Sequence, residues 1–150
     1  MNTGSPGGIV KNVLLVVRRE RDMDWAVNFV IHLHRRDSVR IHLLSVQTPF
    51  DGHVRMFFDD ATIRAFHIED GEAEVGPVQK ALDRANVPYK THILIGFSAA
   101  TIADFAKEYN CEQIVIGPQS KGLVSQFLLG SLTQQVTHLM QSAGQTCEVV

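Results

Sequence analysis

The sequence predicts a doubly wound α/β fold, in which helices cover both faces of a parallel sheet. Three observations predict it. Short apolar runs alternate along the chain with segments of helical periodicity, which is typical of β-α-β units. The first run, residues 13–17 (VLLVV), has no polar alternation, which is typical of a strand buried on both faces. The chain has 150 residues, 45% of them hydrophobic and 20% charged, which is enough to close one core.

The elements follow in order from these patterns. We expect strands over residues 13–17, 41–46, 89–95, 113–116 and 147–150, and helices over 22–36, around 102–109 and around 132–140. The segment 59–86 is helical in pattern and begins at Asp59-Asp60, which favours a helix cap. Gly71 and then Gly76-Pro77 interrupt it. Because proline is tolerated in the first turn of a helix, we expect a new helix to start at Pro77.

Composition narrows the classes of partner and compartment. Residues 1–10 are rich in Gly, Ser and Pro and predict a flexible tail, so that residues 11–150 form the single domain. A net charge of −2 gives no electrostatic reason to expect nucleic acid or an anionic membrane as partner. The apolar runs are far shorter than a membrane span, and the first residues lack the apolar core of a signal peptide. We therefore expect a cytoplasmic protein.

A polar loop after the fourth predicted strand is the main candidate for chemistry. The β-branched run 114–116 ends at Gly117, and the spacing continues as Gly117-x2-Ser120-x9-Gly130-Ser131. Backbone N–H groups in such a loop and at a helix N-terminus bind anions such as phosphate. Ser131 and Gln134 fit a capping box, which puts Gly130-Ser131 at the positive end of a helix dipole. The alternative is that Ser131 only caps the helix and Gly117 only ends the strand.

This loop resembles that of the universal stress protein family, G-x2-G-x9-G-[ST], with Ser120 in place of the second glycine. Gly96 after the third predicted strand and Cys147 at the start of the last one match the same family, and the resemblance covers residues 11–150. It implies a Rossmann-like, adenine-nucleotide-hydrolase-like fold with five parallel strands in order 3-2-1-4-5. Ligands of such folds bind outside the carboxyl ends of the strands, where the strand order reverses.

The resemblance also implies a site for a nucleotide or phosphate. Its predicted residues are Val17, Arg18, Val46, Gly117, Ser120, Lys121, Gly130, Ser131 and Leu132. ATP-binding members usually carry an aspartate directly after the first strand, whereas this chain has Arg18-Arg19-Glu20 there. Ser120 replaces a glycine that lets the backbone approach phosphate closely. Both departures argue against the standard ATP pose.

The same departures favour another anion. Arg18 or Arg19, with Ser120, Lys121, Ser131 and Thr133 nearby, suits inorganic phosphate or a phosphorylated metabolite. The alternative is that both arginines form exposed ion pairs with acidic neighbours, namely Glu20, Asp22 and Asp24.

The resemblance implies one function for this protein, and the sequence leaves several alternatives open. It implies a cytoplasmic stress-response regulator with a degenerate nucleotide or phosphate loop and no catalytic role, for which ATP or another adenine nucleotide is the candidate ligand. One alternative is an interaction or dimerisation module that binds no nucleotide. Others are an ATP switch of the family's standard kind and, by fold analogy alone, an enzyme acting on adenylyl groups. The sequence contains neither a G-x-S-x-G motif nor a P-loop lysine motif, so no motif of this kind favours an enzyme.

Assembly is also implied by the resemblance. A homodimer is expected, with a further protein as a second kind of partner. Family members often dimerise through the last strand, but 147–150 is short and carries Glu148 where a proline is usual. A short, charged edge pairs weakly, which favours an interface elsewhere.

The remaining reactive or bulky residues have structural explanations. His32 and His34 are two residues apart on a predicted helix and so face different sides. His42, His92 and His138 stand singly, and none of these histidines has zinc-site spacing, so no metal site is predicted. Cys111 and Cys147 are expected to be reduced. The acidic residues around Gly71, which are Glu69, Asp70, Glu72 and Glu74, are expected on a solvated face.

Three bulky apolar residues, Met56-Phe57-Phe58, follow the second predicted strand in an irregular segment. Either they cover the core, which is the favoured interpretation, or they form an exposed patch that marks a partner or ligand site.

Overall fold

Five parallel strands form one sheet in a computed structural model that describes residues 10–19, 22–117 and 131–150. The strands are β1 (Lys11–Val16), β2 (Val39–Gln47), β3 (Tyr89–Ile95), β4 (Cys111–Val115) and β5 (Glu148–Val149). The helices are α1 (Asp24–Arg36), α2 (Gly52–Arg55), α3 (Asp60–Arg84), α4 (Ser98–Glu108) and α5 (Ser131–Ser142). The strand order is β3-β2-β1-β4-β5, so the predicted α/β fold and its strand order are confirmed.

The register of the sheet places the ends of its central strands side by side. β1 pairs with β2 up to Val16↔Leu44 and with β4 up to Leu15↔Val115, and β2 pairs with β3 up to Gln47↔Ile95. All these pairs are parallel, so the carboxyl ends of β1, β2 and β4 lie at one edge of the sheet. The strand order reverses between β1 and β4, which leaves a crevice at that edge.

Two apolar cores lie on the two faces of the sheet. One packs α1 and α3 against the odd-numbered side chains of β1, including Val13 and Leu15. The other packs α4 and α5 against Leu14 and Val16. Because successive side chains of a strand point to opposite faces, the unbroken apolar run of β1 supplies both cores.

Helix α3 contradicts the prediction of a restart at Pro77, because it runs without interruption from Asp60 to Arg84. It is capped as expected: the Asp59 carboxylate accepts a hydrogen bond from the Thr62 N–H at 2.8 Å. Pro77 cannot donate to the Ala73 carbonyl, but both residues are exposed, so water can solvate that carbonyl. Gly76 has no Cβ to clash with the proline ring, which relieves the usual restriction on the residue before proline.

His42 and His92, expected singly, form a hydrogen-bonded pair on neighbouring strands. Asn12 donates from Nδ2 to the Tyr109 carbonyl at 2.7 Å, so its Oδ1 accepts from His42 Nε2 at 3.2 Å. His42 Nδ1 therefore accepts from His92 Nε2 at 3.0 Å. Burial of His42, together with the charges on neighbouring His92, Arg40 and Lys90, lowers its pKa to about 4. Burial, followed by the Lys90 charge, also lowers the pKa of His92.

The three apolar residues after the second strand do not cover the core. Met56, Phe57 and Phe58 are 78%, 70% and 46% exposed, so the favoured interpretation of these residues is wrong. They follow α2, and the ring of Phe58 packs edge-on against that of Phe66, which is also half exposed. This exposed apolar patch (Met56, Phe57, Phe58 and Phe66) is the alternative that the sequence left open.

Both cysteines are free thiols. Burial raises the pKa of Cys111 to about 12 and that of Cys147 to about 11, so neither is a reactive thiolate at neutral pH. Residues 1–9 of the predicted tail lie outside the described residues. No helix in the described ranges is long and apolar enough to cross a membrane.

Candidate functional site

A cavity of about 710 Å³ opens at the carboxyl edge of the sheet. It lies where β1 and β2 end and where α4 and α5 begin, which is the crevice that the strand order creates. Its lining residues come from five regions: Val16, Val17 and Arg18; Val46 and Thr48; Glu74 of α3; Phe97, Ser98, Ala99, Ala100 and Ile102; and Ser131, Leu132, Gln135 and Leu139.

Two helix N-termini face this cavity. Ser98 begins α4 and Ser131 begins α5, and both line the cavity. The first N–H groups of a helix have no intrahelical acceptor, and the helix dipole makes this end positive, so both termini favour a bound anion. Thr133, in the first turn of α5, is buried, and its hydroxyl has no hydrogen-bond partner in the described ranges. That turn therefore has unmet hydrogen-bonding capacity.

Arg18 and Glu74 are the charged side chains among the described residues that line the cavity. Arg18 directly follows the end of β1 and is half-buried, where a guanidinium suits the two oxygens of a phosphate. Glu74 reaches the same edge from the middle of α3. One of its oxygens accepts from the Ser45 hydroxyl at 2.5 Å and the other from the Arg19 N–H at 2.9 Å.

Five of the predicted site residues line the cavity together: Val17, Arg18, Val46, Ser131 and Leu132. Gly117 is not among the lining residues. It has a φ of +89°, which favours glycine, and a Cβ there would contact Trp25. Its N–H donates to the Val150 carbonyl at 3.1 Å, so the sheet already uses this donor. Ser120, Lys121 and Gly130 lie outside the described residues.

Arg19 does not line the cavity. Its guanidinium pairs with the Asp70 carboxylate at 2.9 Å and donates to the Asp70 carbonyl at 3.0 Å. Ion pairing was the alternative for the arginines, and Arg19 does form an ion pair, but its acceptor Asp70 lies on α3 and is not one of the predicted sequence neighbours. Asp70 and Glu74 are correspondingly not the purely solvated acidic residues that were predicted.

Several residues that line the cavity were not predicted from the sequence. Thr48 and Phe97 come just after β2 and β3, so the rule that ligands bind at the carboxyl ends of parallel strands could have found them. Glu74 carried no such signal, because it lies inside a long helix among other acidic residues.

The histidine pair does not extend to a metal site. Within the ranges that the structure describes, no group of three or more His, Cys, Asp or Glu residues could hold a metal ion.

Solved structures with the same fold include several universal stress proteins. Universal stress protein UspA from Lactobacillus plantarum is 20% identical, with a TM-score of 0.67 over 95% of this chain and 97% of that one. The protein from Archaeoglobus fulgidus in complex with dAMP is 18% identical, with a TM-score of 0.63 over 95% and 98% of the two chains. A family protein from Arabidopsis thaliana with AMP bound is 15% identical, with a TM-score of 0.58 over 93% and 89%.

The TM-scores show that the fold is shared, and identities this low say nothing about the ligand of this chain. No curated protein matches the chain. The model of the universal stress protein family matches residues 10–142, which is most of the sequence. The five-stranded sheet and this match agree: the chain belongs to the universal stress protein family.

Proposed function

We propose that this protein is a stress-response regulator that reversibly binds a nucleotide or another phosphorylated small molecule in the cavity at the carboxyl edge of the sheet. One observation carries the proposal: Arg18 and the N-terminal turns of α4 and α5 converge on the same cavity. A fixed cation and two positive helix ends in one crevice favour a polyanionic group. Its volume of about 710 Å³ is within the range of small-molecule sites.

The two similar structures that contain AMP and dAMP support a nucleoside monophosphate as the first ligand to test. Arg18 stands where ATP-binding members usually have an aspartate, so we propose a ligand pose different from that of ATP in those members. The apolar side chains of Val17, Val46 and Leu132 provide a surface for a base.

Isothermal titration calorimetry with AMP, ADP, ATP and inorganic phosphate tests the proposal. We expect binding of at least one of these ligands, and the Arg18→Gln variant to weaken it by about tenfold or more, because a hydrogen-bonded charged contact is lost. Arg64→Gln is the matched control, since Arg64 is an exposed arginine that does not line the cavity. Absence of heat with all four ligands, from folded and nucleotide-free protein, would contradict the proposal.

The proposed role is non-catalytic. Glu74, the carboxylate that lines the cavity in the described residues, already accepts hydrogen bonds from Ser45 and Arg19, which favours a structural or recognition role over proton transfer. ATP or AMP incubated with the protein should therefore be recovered unchanged by anion-exchange chromatography. Steady release of phosphate or adenine, lost in Arg18→Gln, would instead indicate an enzyme.

A second candidate function is supported by the exposed apolar patch. Large exposed apolar patches mark interaction sites on soluble proteins, and Met56 and Phe57 are the most exposed members here. We propose that this patch, rather than the two-residue β5, mediates pairing with a second copy. Sedimentation velocity should show a dimer that becomes monomeric in Met56→Ser/Phe57→Ser and persists in Glu148→Gln. The reverse pattern would place the interface at β5.

A further inference from the structure

We infer that Glu74 is a specificity-determining residue that accepts hydrogen bonds from the two hydroxyls of a vicinal diol, such as that of ribose, on the bound ligand. This inference rests on the proposed function, because it concerns the same cavity. Glu74 lies inside α3, on the opposite face of the sheet from α4 and α5, yet its carboxylate reaches the cavity edge.

The carboxylate is held in place by two parts of the chain, β2 and the segment just after β1. Gln47 donates from Nε2 to the Ser45 hydroxyl at 3.1 Å, so Ser45 directs its own proton to Glu74. The second oxygen of Glu74 accepts from the Arg19 N–H, just after β1. Because Ser45 and Gln47 are buried, the Ser45 contact is shielded from water, whereas the Arg19 contact is exposed. The carboxylate is therefore preorganised, which lowers the cost of ordering it when a ligand binds.

The carboxylate also keeps capacity for further bonds. Two carboxylate oxygens offer about four acceptor positions, and the described part of the chain uses one on each oxygen. Two acceptors on one planar group match two neighbouring hydroxyls. In doubly wound folds an acidic residue at the carboxyl edge commonly accepts from ribose in this way.

The charges in the cavity then orient the ligand. Glu74 repels a phosphate, whereas Arg18 and the first turns of α4 and α5 attract it. A ligand with an anionic end and a hydroxyl-bearing part is thus bound in one direction, with its hydroxyls towards Glu74. Inorganic phosphate alone cannot use this contact.

Calorimetry with AMP and 2′,3′-dideoxyadenosine 5′-monophosphate tests the inference. We expect the wild-type protein to bind AMP about tenfold or more tightly than the dideoxy compound, since hydrogen bonds to a charged acceptor are lost. In Glu74→Gln, which keeps the size of the side chain, the preference should fall to about threefold or less, because a neutral amide oxygen is a weaker acceptor. If Glu74 had only a structural role, its substitution would weaken the binding of both ligands alike, and the ratio of the two affinities would not change.

Glu72→Gln is the matched control. Glu72→Gln changes the net charge by the same amount as Glu74→Gln. Glu72 lies two residues away on the same helix, but it is exposed and does not line the cavity. It should keep the wild-type preference. If Glu74→Gln fails to fold, Glu74→Asp keeps the charge, shortens the reach by one methylene, and should also reduce the preference.

The outcomes separate this inference from the proposed function. Binding of AMP without a preference over the dideoxy compound overturns the inference alone. A preference that survives in Glu74→Gln overturns it as well. Wild-type protein that binds no phosphorylated ligand overturns the proposed function, and the inference with it.

Discussion

Acidification should destabilise this protein through His42, which is buried and hydrogen-bonded to His92. His42 is 2% exposed, and its pKa in the folded protein is about 4, against 6.5 for a free histidine. Between these two values the unfolded chain binds a proton that the folded chain does not. Stability therefore falls as the pH falls through this window and recovers as the pH rises.

The expected magnitude follows from this shift. While folded His42 stays neutral and the unfolded residue is protonated, each pH unit costs about 1.4 kcal/mol of unfolding free energy. From pH 7 to pH 5 the loss is about 2 kcal/mol from His42 alone. Both ring nitrogens of His42 are already hydrogen-bonded, and cationic Arg40 and Lys90 also disfavour a further positive charge. Phe105 on α4 and Tyr109 just after it cover the pair, and neither side chain is a carboxylate that could compensate the charge.

Urea unfolding followed by circular dichroism at pH 7 and pH 5 measures this loss. His42→Gln should be less stable than the wild type at pH 7, yet lose about 2 kcal/mol less on acidification. His32→Gln is the control, because His32 is exposed on α1 and should leave the wild-type pH dependence unchanged. Contributions of carboxylates are common to all three proteins and cancel in the differences. Equal losses of stability in His42→Gln and wild type would show that the folded protein does not oppose protonation of His42.

Three further predictions follow from the packing. Gly71→Ala should lose about 1–3 kcal/mol from overpacking, because its Cβ would lie 2.6 Å from Ile93; chemical denaturation should show that Ile93→Ala in the same chain recovers part of this loss. Pro77→Ala should raise the unfolding free energy by about 1–3 kcal/mol, since the Ala73 carbonyl regains its donor; an unchanged denaturation midpoint would contradict this explanation. Cys111 should react with a thiol reagent far more slowly in native than in unfolded protein, as its burial and raised pKa require, and a fast native reaction would show that the thiol is accessible.

The sequence indicated much of the fold because local patterns carry it. The apolar run in β1 predicted a doubly buried strand, and all five strands were placed within a few residues of their observed bounds. The family resemblance added the strand order, and strand order together with the rule for carboxyl ends was enough to bring Val17, Arg18 and Val46 to one edge. The strand positions depend on the periodicity of apolar residues, and the resemblance depends on the spacing of the loop motif; a linear sequence displays both.

Other features required the tertiary structure. The partners His42 and His92 are 50 residues apart, and nothing in either neighbourhood indicates the other. Glu74 resembles the other acidic residues of α3 in sequence, and only the packing of that helix against β2 brings its carboxylate to Ser45 and the cavity. Helix α3 itself continues through Pro77, because solvent exposure of the Ala73 carbonyl and the absence of a Cβ on Gly76 reduce the usual penalty. Which side chains meet across elements depends on register and packing distance, and these are properties of the folded chain alone.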